Sequence, residues 1–225
     1  MTAKENPKKQ GKKRKIVVVD DHPLLRQGLA QLINQEDDLV FAGEAGDASE
    51  ALPLLSKINP DLMIVDISLK GMNGLDLTKN ISRDQPNVPV LVISMHDESL
   101  YAERALRAGA RGYLMKQEAT EKVVTAIRKV LSGEVYLSDA MRDGLLNKIV
   151  SGRPVSESPA EGLTDRELEV LQLMAQGKGT RQIAEALHLS VKTIESHYAN
   201  IKNKLNLKNA PELMQYAVKF FHSEA

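Results

Sequence analysis

The sequence has no cysteine among its 225 residues. The chain can therefore form no disulfide, no thiolate metal site and no cysteine nucleophile, which is consistent with a reducing compartment. It also lacks any apolar run near the ~20 residues that a membrane span requires, and its basic N-terminus has no apolar segment of the kind found in signal peptides. We therefore expect a cytoplasmic globular protein that makes no contact with membranes.

An excess of charge of one sign is also missing, because 30 Lys and Arg residues balance 30 Asp and Glu residues. The distribution is uneven: residues 1–15 carry seven basic side chains against one acidic, whereas residues 16–162 carry 15 basic and 22 acidic side chains. We predict that residues 1–14 form a disordered basic tail. The acidic excess in the middle of the chain argues against nucleic-acid binding by that region.

Five short apolar runs alternate with helical patterns in the first part of the chain. The runs cover residues 16–19, 39–42, 62–65, 90–93 and 112–115. Runs of this kind are typical of parallel strands buried on both faces, and strands that alternate with helices imply right-handed crossovers. We therefore predict a doubly wound α/β domain with a five-stranded parallel sheet.

Polar side chains follow four of these runs. Asp20 and Asp21 end the first run, Asp66 ends the third, Ser94 ends the fourth and Lys116 ends the fifth. Ligands of open parallel sheets bind outside the carboxyl ends of the strands, so these side chains would share one crevice. Each of them alone is explained equally well as a polar residue that ends a strand, but together they indicate a site.

Three clustered carboxylates repel one another and need a cation, and hard oxygen ligands with open positions suit Mg²⁺. A carboxylate held beside the metal and a lysine ammonium can attack phosphorus, because both cations neutralise charge on the transferring oxygens. We assign Asp66 as the nucleophile, Asp20 and Asp21 as metal ligands and Lys116 as the partner of the phosphoryl group. The Ser94 hydroxyl would donate to a phosphoryl oxygen.

A connection and a second, helical unit follow. Residues 138–150 have an amphipathic pattern and residues 151–162 are rich in Pro, Gly and Ser, so a linker helix and a flexible linker are predicted over 135–162. Thr164 and Glu167 have the spacing of a capping box. Two helices joined by a tight turn come next, the second being the longer, which predicts a helix-turn-helix.

The longer helix covers residues 190–205, and its outer face offers candidate contacts to DNA bases. Those residues are Lys192, Glu195, Ser196 and Ala199. The small side chains would let the backbone approach a groove floor, Lys192 could bind a phosphate or guanine edge, and Glu195 could accept from cytosine. Periodicity alone would favour an ordinary solvated face.

The chain resembles the NarL/FixJ family of two-component response regulators. The segments VVVDD, LMIVD, VLVIS and GYLMK occur in the order found in receiver domains, and the segment from GLTDRELEVL to NKLNL resembles a LuxR-type DNA-binding domain. The resemblance implies that Asp66 accepts a phosphoryl group from a histidine kinase, and that Asp21, Asp66 and the backbone carbonyl of Ser68 bind Mg²⁺ with help from Asp20. It also implies a switch in which Ser94 engages the phosphoryl group and the Tyr113 ring moves inward.

The same resemblance divides the chain into a tail (1–14), a receiver domain (15–134), a linker (135–162) and a DNA-binding domain (163–225). For the receiver sheet it implies the flavodoxin-like strand order 2-1-3-4-5. It implies promoter DNA as a partner and a homodimer in the phosphorylated state. Expected phosphate contacts are Thr193, His197, Lys202 and Lys204, and expected dimer contacts on the last helix are Leu213, Tyr216 and Ala217. Glu195 stands where many relatives have lysine, and Lys70 stands where such receivers usually have proline.

We therefore predict a phosphorylation-dependent transcription regulator that is not an enzyme. One alternative is a DNA-binding regulator that ignores phosphate and uses its receiver only for docking. A phosphatase with Asp66 as nucleophile is less favoured, because Ser68 occupies the position where that class of enzyme carries a second Asp. His22, His96 and His222 lack the spacing of metal ligands and are expected to be solvated.

Overall fold

The computed structural model describes residues 12–150 and 159–222. Its strands are β1 (Arg14–Val19), β2 (Leu39–Ala45), β3 (Leu62–Val65), β4 (Val90–Ser94) and β5 (Gly112–Met115). The helices of the first domain are α1 (Pro23–Asn34), α2 (Ala48–Ile58), α3 (Gly74–Asp84), α4 (Glu98–Arg107) and α5 (Ala119–Leu131). They are followed by α6 (Asp139–Val150), α7 (Asp165–Ala175), α8 (Thr180–Ala186), α9 (Val191–Leu205) and α10 (Ala210–His222).

The strands form one parallel sheet in the order β2-β1-β3-β4-β5, which confirms the predicted topology. All four residues of β3 and all five of β4 are buried, because helices cover both faces of the sheet. The order reverses direction between β1 and β3, and this switch point is where Asp20 and Asp66 emerge. The fold thus brings residues 46 positions apart to one edge.

The ends of the receiver domain differ slightly from the sequence prediction. β1 begins at Arg14, inside the predicted tail, because its side chain donates to Asp61 over 2.9 Å. Residues 1–11 of that tail lie outside the described residues. At the other end, Tyr136 is buried and forms a bridge with Gly112, so the domain continues two residues past the predicted boundary at 134.

The second domain packs α7 to α10 around a small core of its own. The capping box is confirmed, since the Thr164 side chain accepts from the Glu167 N–H while the Glu167 carboxylate accepts from the Thr164 N–H. The predicted flexible linker was too long at its end: residues 159–162 form a 3₁₀-helix and Ala160 is 3% exposed in the core. Residues 151–158 lie outside the described part of the chain.

The dimer contacts predicted on α10 need correction. Leu213 is 1% exposed and Ala217 is fully buried, because both fill the core of their own domain. Tyr216 is only partly buried and stacks on Phe220 with ring centroids 6.0 Å apart. The hydrophobic period predicted the helix correctly, but it did not distinguish the face that packs on its own domain from the outer face.

The two domains are in contact through α7, which packs on the receiver beside α4. Arg104 of α4 donates to the carbonyls of Ala160 and Leu163 and to Asp165, each over 3.0 Å. Lys79 of α3 reaches Asp165 over 3.2 Å. Leu168 of α7 is 2% exposed and belongs to the receiver's own apolar cluster. The domain arrangement is therefore closed.

Candidate functional site: an acidic pocket next to the domain interface

The polar residues predicted to share a crevice do lie together at the carboxyl edge of the sheet. Lys116 Nζ lies 2.8 Å from Asp20 Oδ2 and 2.7 Å from Asp66 Oδ2. Asp20 and Asp66 are each 2% exposed, and Ser94 is fully buried. Asp21 is less buried and lies at the mouth of the pocket. One cation thus bridges two buried carboxylates.

The pocket raises the pKa of Asp66 and the pKa of Lys116, and together these shifts favour a reactive carboxylate beside a fixed ammonium group. Burial, reinforced by the negative charge of Asp20, raises the pKa of Asp66 in spite of the attraction of Lys116. Burial acts to lower the pKa of Lys116, but the charges of Asp66 and Asp20 outweigh it and raise that pKa. Lys116 is therefore a fixed cation, and a further positive charge would favour ionised Asp66.

The donor set fits a hard divalent cation. Single ligand atoms of Asp20, Asp21, His22 and Asp66 all lie within 4.8 Å of one another. Asp66 Oδ1 is buried and has no hydrogen-bond partner, so an oxygen remains available in the middle of the cluster. His22 was expected to be solvated; its ring is 62% exposed, but Nδ1 lies 3.0 Å from Asp20 Oδ1 and 2.7 Å from Asp21 Oδ1.

The loop after β3 is held tightly against the pocket. Gly74 begins α3 with its N–H donating to the Ile67 carbonyl over 2.8 Å, and a Cβ at this position would lie 1.8 Å from the Asp66 carbonyl oxygen. Only glycine permits that approach. Lys70, which replaces the expected proline, forms an isolated parallel bridge with Asp47. Gly71, at φ 73°, accepts a hydrogen bond from Arg166 of the second domain over 3.0 Å.

The two predicted switch residues adjoin each other inside the fold. Tyr113 is fully buried and its hydroxyl donates to the His96 carbonyl over 2.7 Å. Burial raises the pKa of Tyr113 well above its ordinary value, so the hydroxyl keeps its proton. The resemblance implied a ring that moves inward on phosphorylation, but in this structure the ring already lies inside.

His96 is the residue that the sequence interpretation missed. It was expected to be solvated, yet its side chain is 12% exposed and lies at the interface between the domains. Its ring stacks on Tyr101, with centroids 4.4 Å apart, and it contacts Ser68 on one side and Gln172 of α7 on the other. No periodic or motif signal in the sequence marks this contact.

The predicted base-reading face of α9 is accessible in the closed arrangement. Lys192, Glu195, Ser196 and Ala199 are all exposed. The Ser196 hydroxyl donates to the Lys192 carbonyl over 3.0 Å, so it lies along the helix backbone. α9 itself begins at a cap in which the Ser190 side chain accepts from the Thr193 N–H. Their roles at DNA stay predictions.

The four predicted phosphate contacts are placed differently from one another. Thr193 is half-buried and its hydroxyl lies 2.7 Å from Ser190 Oγ, while Lys202 is half-buried. Lys204 donates to Glu167 over 2.7 Å, so it stabilises its own domain. Burial lowers the pKa of His197, and its Nδ1 is buried without a hydrogen-bond partner, so the free protein disfavours the cationic form of this side chain.

Comparison with known proteins agrees with both domains. Residues 16–128 match the model of the response regulator receiver domain, and residues 161–217 match that of the bacterial regulatory proteins of the luxR family. The oxygen regulatory protein NreC of Staphylococcus carnosus is 39% identical over 210 residues, covering 91% of this chain and 97% of that protein. NreC of Staphylococcus aureus strain MRSA252 is 38% identical over the same length.

Solved structures share the fold as well. RcsB of Salmonella enterica serovar Typhimurium, bound to promoter rprA in the presence of the phosphomimetic BeF₃⁻, has a TM-score of 0.60 with 26% identity, covering 92% of this chain and 98% of that one. In the described part of this chain no helix combines the length and the apolar character needed to cross a bilayer.

Proposed function

Because the chain belongs to the response regulators that join a receiver domain to a LuxR-type DNA-binding domain, we propose that Asp66 is its phosphorylation site. The protein is a phosphorylation-dependent DNA-binding transcription regulator whose phosphodonor is a histidine kinase. The observation that carries the assignment to Asp66 is its position at the switch point of the sheet, 2.7 Å from Lys116 and with one oxygen unpartnered. Within the described acidic pocket, Asp66 alone both contacts Lys116 and keeps one carboxylate oxygen without a hydrogen-bond partner.

The geometry of the pocket supports a direct phosphoryl transfer to Asp66. An oxygen of Asp66 forms a bond to phosphorus as the bond between phosphorus and the kinase histidine breaks, and the electron pair of that bond stays on the imidazole nitrogen. Lys116 is fixed by Asp20 and Asp66, so it needs no reorganisation to neutralise the charge on the phosphoryl oxygens. Ser94, buried beside Asp66, donates its hydroxyl to the product.

Asp20, Asp21 and Asp66, with the backbone carbonyl of Ser68, would hold Mg²⁺ in the same pocket. When bound it supplies the positive charge that keeps Asp66 ionised against its raised pKa. We assign no catalytic turnover to the pocket beyond phosphorylation and dephosphorylation of Asp66. Ser68 supplies no carboxylic acid at the position where an aspartyl phosphatase needs one, and its hydroxyl is directed to His96.

The DNA-binding step uses α9. RcsB, which is similar to this chain over nearly its whole length, is described in a complex with promoter DNA, and another structure holds two RcsB dimers on two DNAs. We propose that phosphorylation releases the second domain of this chain from the receiver and allows a dimer to bind promoter DNA in the cytoplasm. Lys192, Glu195, Ser196 and Ala199 would face the bases.

The experiment compares wild type with Asp66→Asn. The matched control is Asp37→Asn, which makes the same change at an exposed position outside the acidic pocket. Incubation with acetyl phosphate and Mg²⁺, followed by separation on a phosphate-affinity gel, should label wild type and Asp37→Asn but not Asp66→Asn. Genomic footprinting should show stronger protection after phosphorylation only for the first two. Equal labelling of Asp66→Asn would refute the site.

The alternative hypothesis, in which the receiver serves only for docking, makes a different prediction. Beryllofluoride with Mg²⁺ should change the oligomeric state and the DNA affinity of wild type if phosphorylation controls the protein. An unchanged affinity and oligomeric state would favour the docking-only receiver.

A further inference from the structure

We infer that His96 couples the phosphorylation site to the DNA-binding domain through a hydrogen-bonded contact with Gln172 of α7. This inference rests on the proposed function, since it names the residues by which the pocket and the second domain sense each other. His96 follows β4 and lies two residues after Ser94. Among the described residues it touches the pocket loop, both switch residues and α7.

The backbone of His96 is tied to the switch. Its N–H donates to Ser94 Oγ over 3.3 Å, and its carbonyl accepts from the Tyr113 hydroxyl over 2.7 Å. In the phosphorylated protein the Ser94 hydroxyl would donate its hydrogen to a phosphoryl oxygen, because a charged acceptor forms stronger hydrogen bonds than a neutral one, and this would move the Ser94 Oγ that accepts from the His96 N–H. Any shift of Ser94 or Tyr113 therefore changes the two bonds that position the His96 backbone.

The ring of His96 is tied to both domains. Its Nδ1 lies 2.7 Å from Gln172 Oε1, and its Nε2 lies 2.9 Å from Ser68 Oγ. Because a carbonyl oxygen only accepts, Nδ1 donates in the contact with Gln172, while Nε2 is paired with the Ser68 hydroxyl. Tyr101 fixes the plane of the ring by stacking and directs its own hydroxyl to Gln172 Oε1 over 3.5 Å.

The contact is built so that it can be released. Glu169 of α7 is fully buried at the interface, and its Oε1 has no hydrogen-bond partner although it lies 3.6 Å from His96 Nε2. A buried polar atom without a partner costs free energy that solvent would recover when the domains separate. The other oxygen binds Arg166, which also donates to the pocket loop at Gly71. The closed state is thus held by bonds and opposed by this oxygen.

The consequence is a two-way coupling. When the switch repositions His96, its ring loses the hydrogen bond to Gln172 and α7 is released from the receiver. When DNA holds the second domain away from the receiver, His96 loses the same hydrogen bond and the pocket loop relaxes. By thermodynamic linkage the two effects are equal in free energy. His96 is a positioning residue in this scheme, since the described residues show its ring paired with Ser68 and Gln172 and no hydrogen bond from it to Asp66.

The test measures the separation of the domains directly. The chain has no cysteine, so Gln27→Cys in α1 and Glu185→Cys in α8, both exposed, can carry a dye pair for energy transfer in the full chain. The variants are His96→Ala, Gln172→Leu and their combination. Gln176→Leu is the matched control, because it makes the same chemical change at an exposed position directly after α7.

Without phosphodonor, His96→Ala and Gln172→Leu should each raise the equilibrium constant for opening by roughly fivefold to tenfold, the effect of one lost buried hydrogen bond. The double variant should open no further than either single variant, because both remove the same contact. Gln176→Leu should behave as wild type. Gln172→Leu, which leaves the receiver intact, should also speed labelling of Asp66 by acetyl phosphate.

Two results separate the hypotheses. If beryllofluoride with Mg²⁺ opens wild type but Gln172→Leu has the same energy transfer as wild type, or if the two single effects multiply in the double variant, the coupling role of His96 is refuted and the proposed function stands. If beryllofluoride leaves the wild-type energy transfer unchanged, the proposed function fails, and the coupling fails with it.

Discussion

Gly74 fixes the geometry around Asp66 more tightly than its lack of a side chain suggests. A methyl group at this position would lie 1.8 Å from the Asp66 carbonyl oxygen and 2.9 Å from Ile67 Cα. Since both atoms are backbone, neither can swing away. The nucleophile and the first turn of α3 therefore have to be positioned together, which links the stability of the domain to the chemistry of its pocket.

Gly74→Ala should lower the free energy of unfolding of the receiver by about 3 kcal/mol or more, because the overpacking falls on backbone atoms. Gly28→Ala is the control of opposite sign: nothing lies within 4 Å of a Cβ there, and alanine in the middle of α1 should add about 1 kcal/mol. Urea unfolding measures both. A Gly74→Ala protein as stable as wild type would contradict the packing described at Asp66.

Glu167 makes the stability of the DNA-binding domain depend on pH. Burial acts to raise the pKa of Glu167, but Lys204 and the Thr164 N–H outweigh it and lower the pKa below the ordinary value of 4.5. A carboxyl with a lowered folded-state pKa contributes stability that is fully present above pH 4.5 and is lost as the pH falls through the lower folded value.

The prediction is a steeper loss of stability on acidification in wild type than in Glu167→Gln, which lacks the titrating group. Thermal unfolding of the domain at several pH values between 3 and 7 would show it, and about 1 kcal/mol separates the two variants for each unit of pKa shift. Glu185 on α8 of the same domain is exposed, so Glu185→Gln is a suitable control with little effect. Parallel curves for wild type and Glu167→Gln would count against the proposed role.

Individual site residues were predictable where the fold itself decides their position. Asp20, Asp66 and Lys116 were placed together because the ends of parallel strands meet at one edge. His96 was not, because its role depends on Gln172, which lies 76 residues away in another domain. No local pattern encodes a contact of that kind.

At the scale of elements, hydrophobic period predicted which segments are strands and helices. It placed β3, β4 and β5 within a residue of their observed ends, since runs buried on both faces stop where polar residues begin. It ended β2 at residue 42, whereas the strand continues to Ala45 through a mixed sequence that pairs with β1 across a register shift after Ile16. Pairing, and not composition, supports those last residues.

Helix α10 shows that hydrophobic period alone does not predict which residues form a dimer interface. A family relationship implies that this helix dimerises, but it does not say which face is left over after the domain has formed its own core. The structure places Leu213 and Ala217 inside that core, while Met214 is 39% exposed. Any dimer formed through α10 must use its outer face.

Leu213→Ala should therefore destabilise the DNA-binding domain by about 2–5 kcal/mol through a core cavity, and any loss of dimer should follow from unfolding. Met214→Ala, one residue away on the outer face, should change stability by less than about 0.5 kcal/mol. Thermal unfolding monitored by circular dichroism distinguishes them. If Leu213→Ala kept wild-type stability and lost only the dimer, the original assignment of Leu213 would be right after all.

For the molecule as a whole, the contact between the domains decides what phosphorylation has to overcome. The exposed base-reading face of α9 means that the closed arrangement does not hide the recognition side chains. It acts instead by fixing α7 to the receiver, so that the orientation of the whole second domain is set by the receiver surface. Such an arrangement could not be predicted from the sequence, because apolar residues at the interface, such as Leu168, have the same pattern as residues that fill the core of their own domain.

Arg104 is the strongest single contact across this interface, since its guanidinium donates to two carbonyls and a carboxylate of the other domain, each over 3.0 Å. Its side chain is 19% exposed, so solvent screens these bonds weakly. Arg104→Ala removes one donor from each of the three acceptors, although Asp165 keeps Lys79 and the Ala160 carbonyl keeps the Leu163 N–H. The loss of such a part-buried charged contact should shift the association equilibrium by about tenfold. The equilibrium between the closed and the open domain arrangement should shift by roughly that factor towards the open, more extended molecule.

Small-angle scattering of the unphosphorylated full chain should accordingly show a larger radius of gyration for Arg104→Ala than for wild type. Arg107→Ala, one turn further along α4, removes the same group where it is 60% exposed and pairs with Glu103 of its own helix, so it should leave the radius unchanged. Because Arg104 lies outside the acidic pocket, Arg104→Ala should still accept phosphate at Asp66. An Arg104→Ala protein as compact as wild type would mean that α7 is held chiefly by its apolar contact at Leu168.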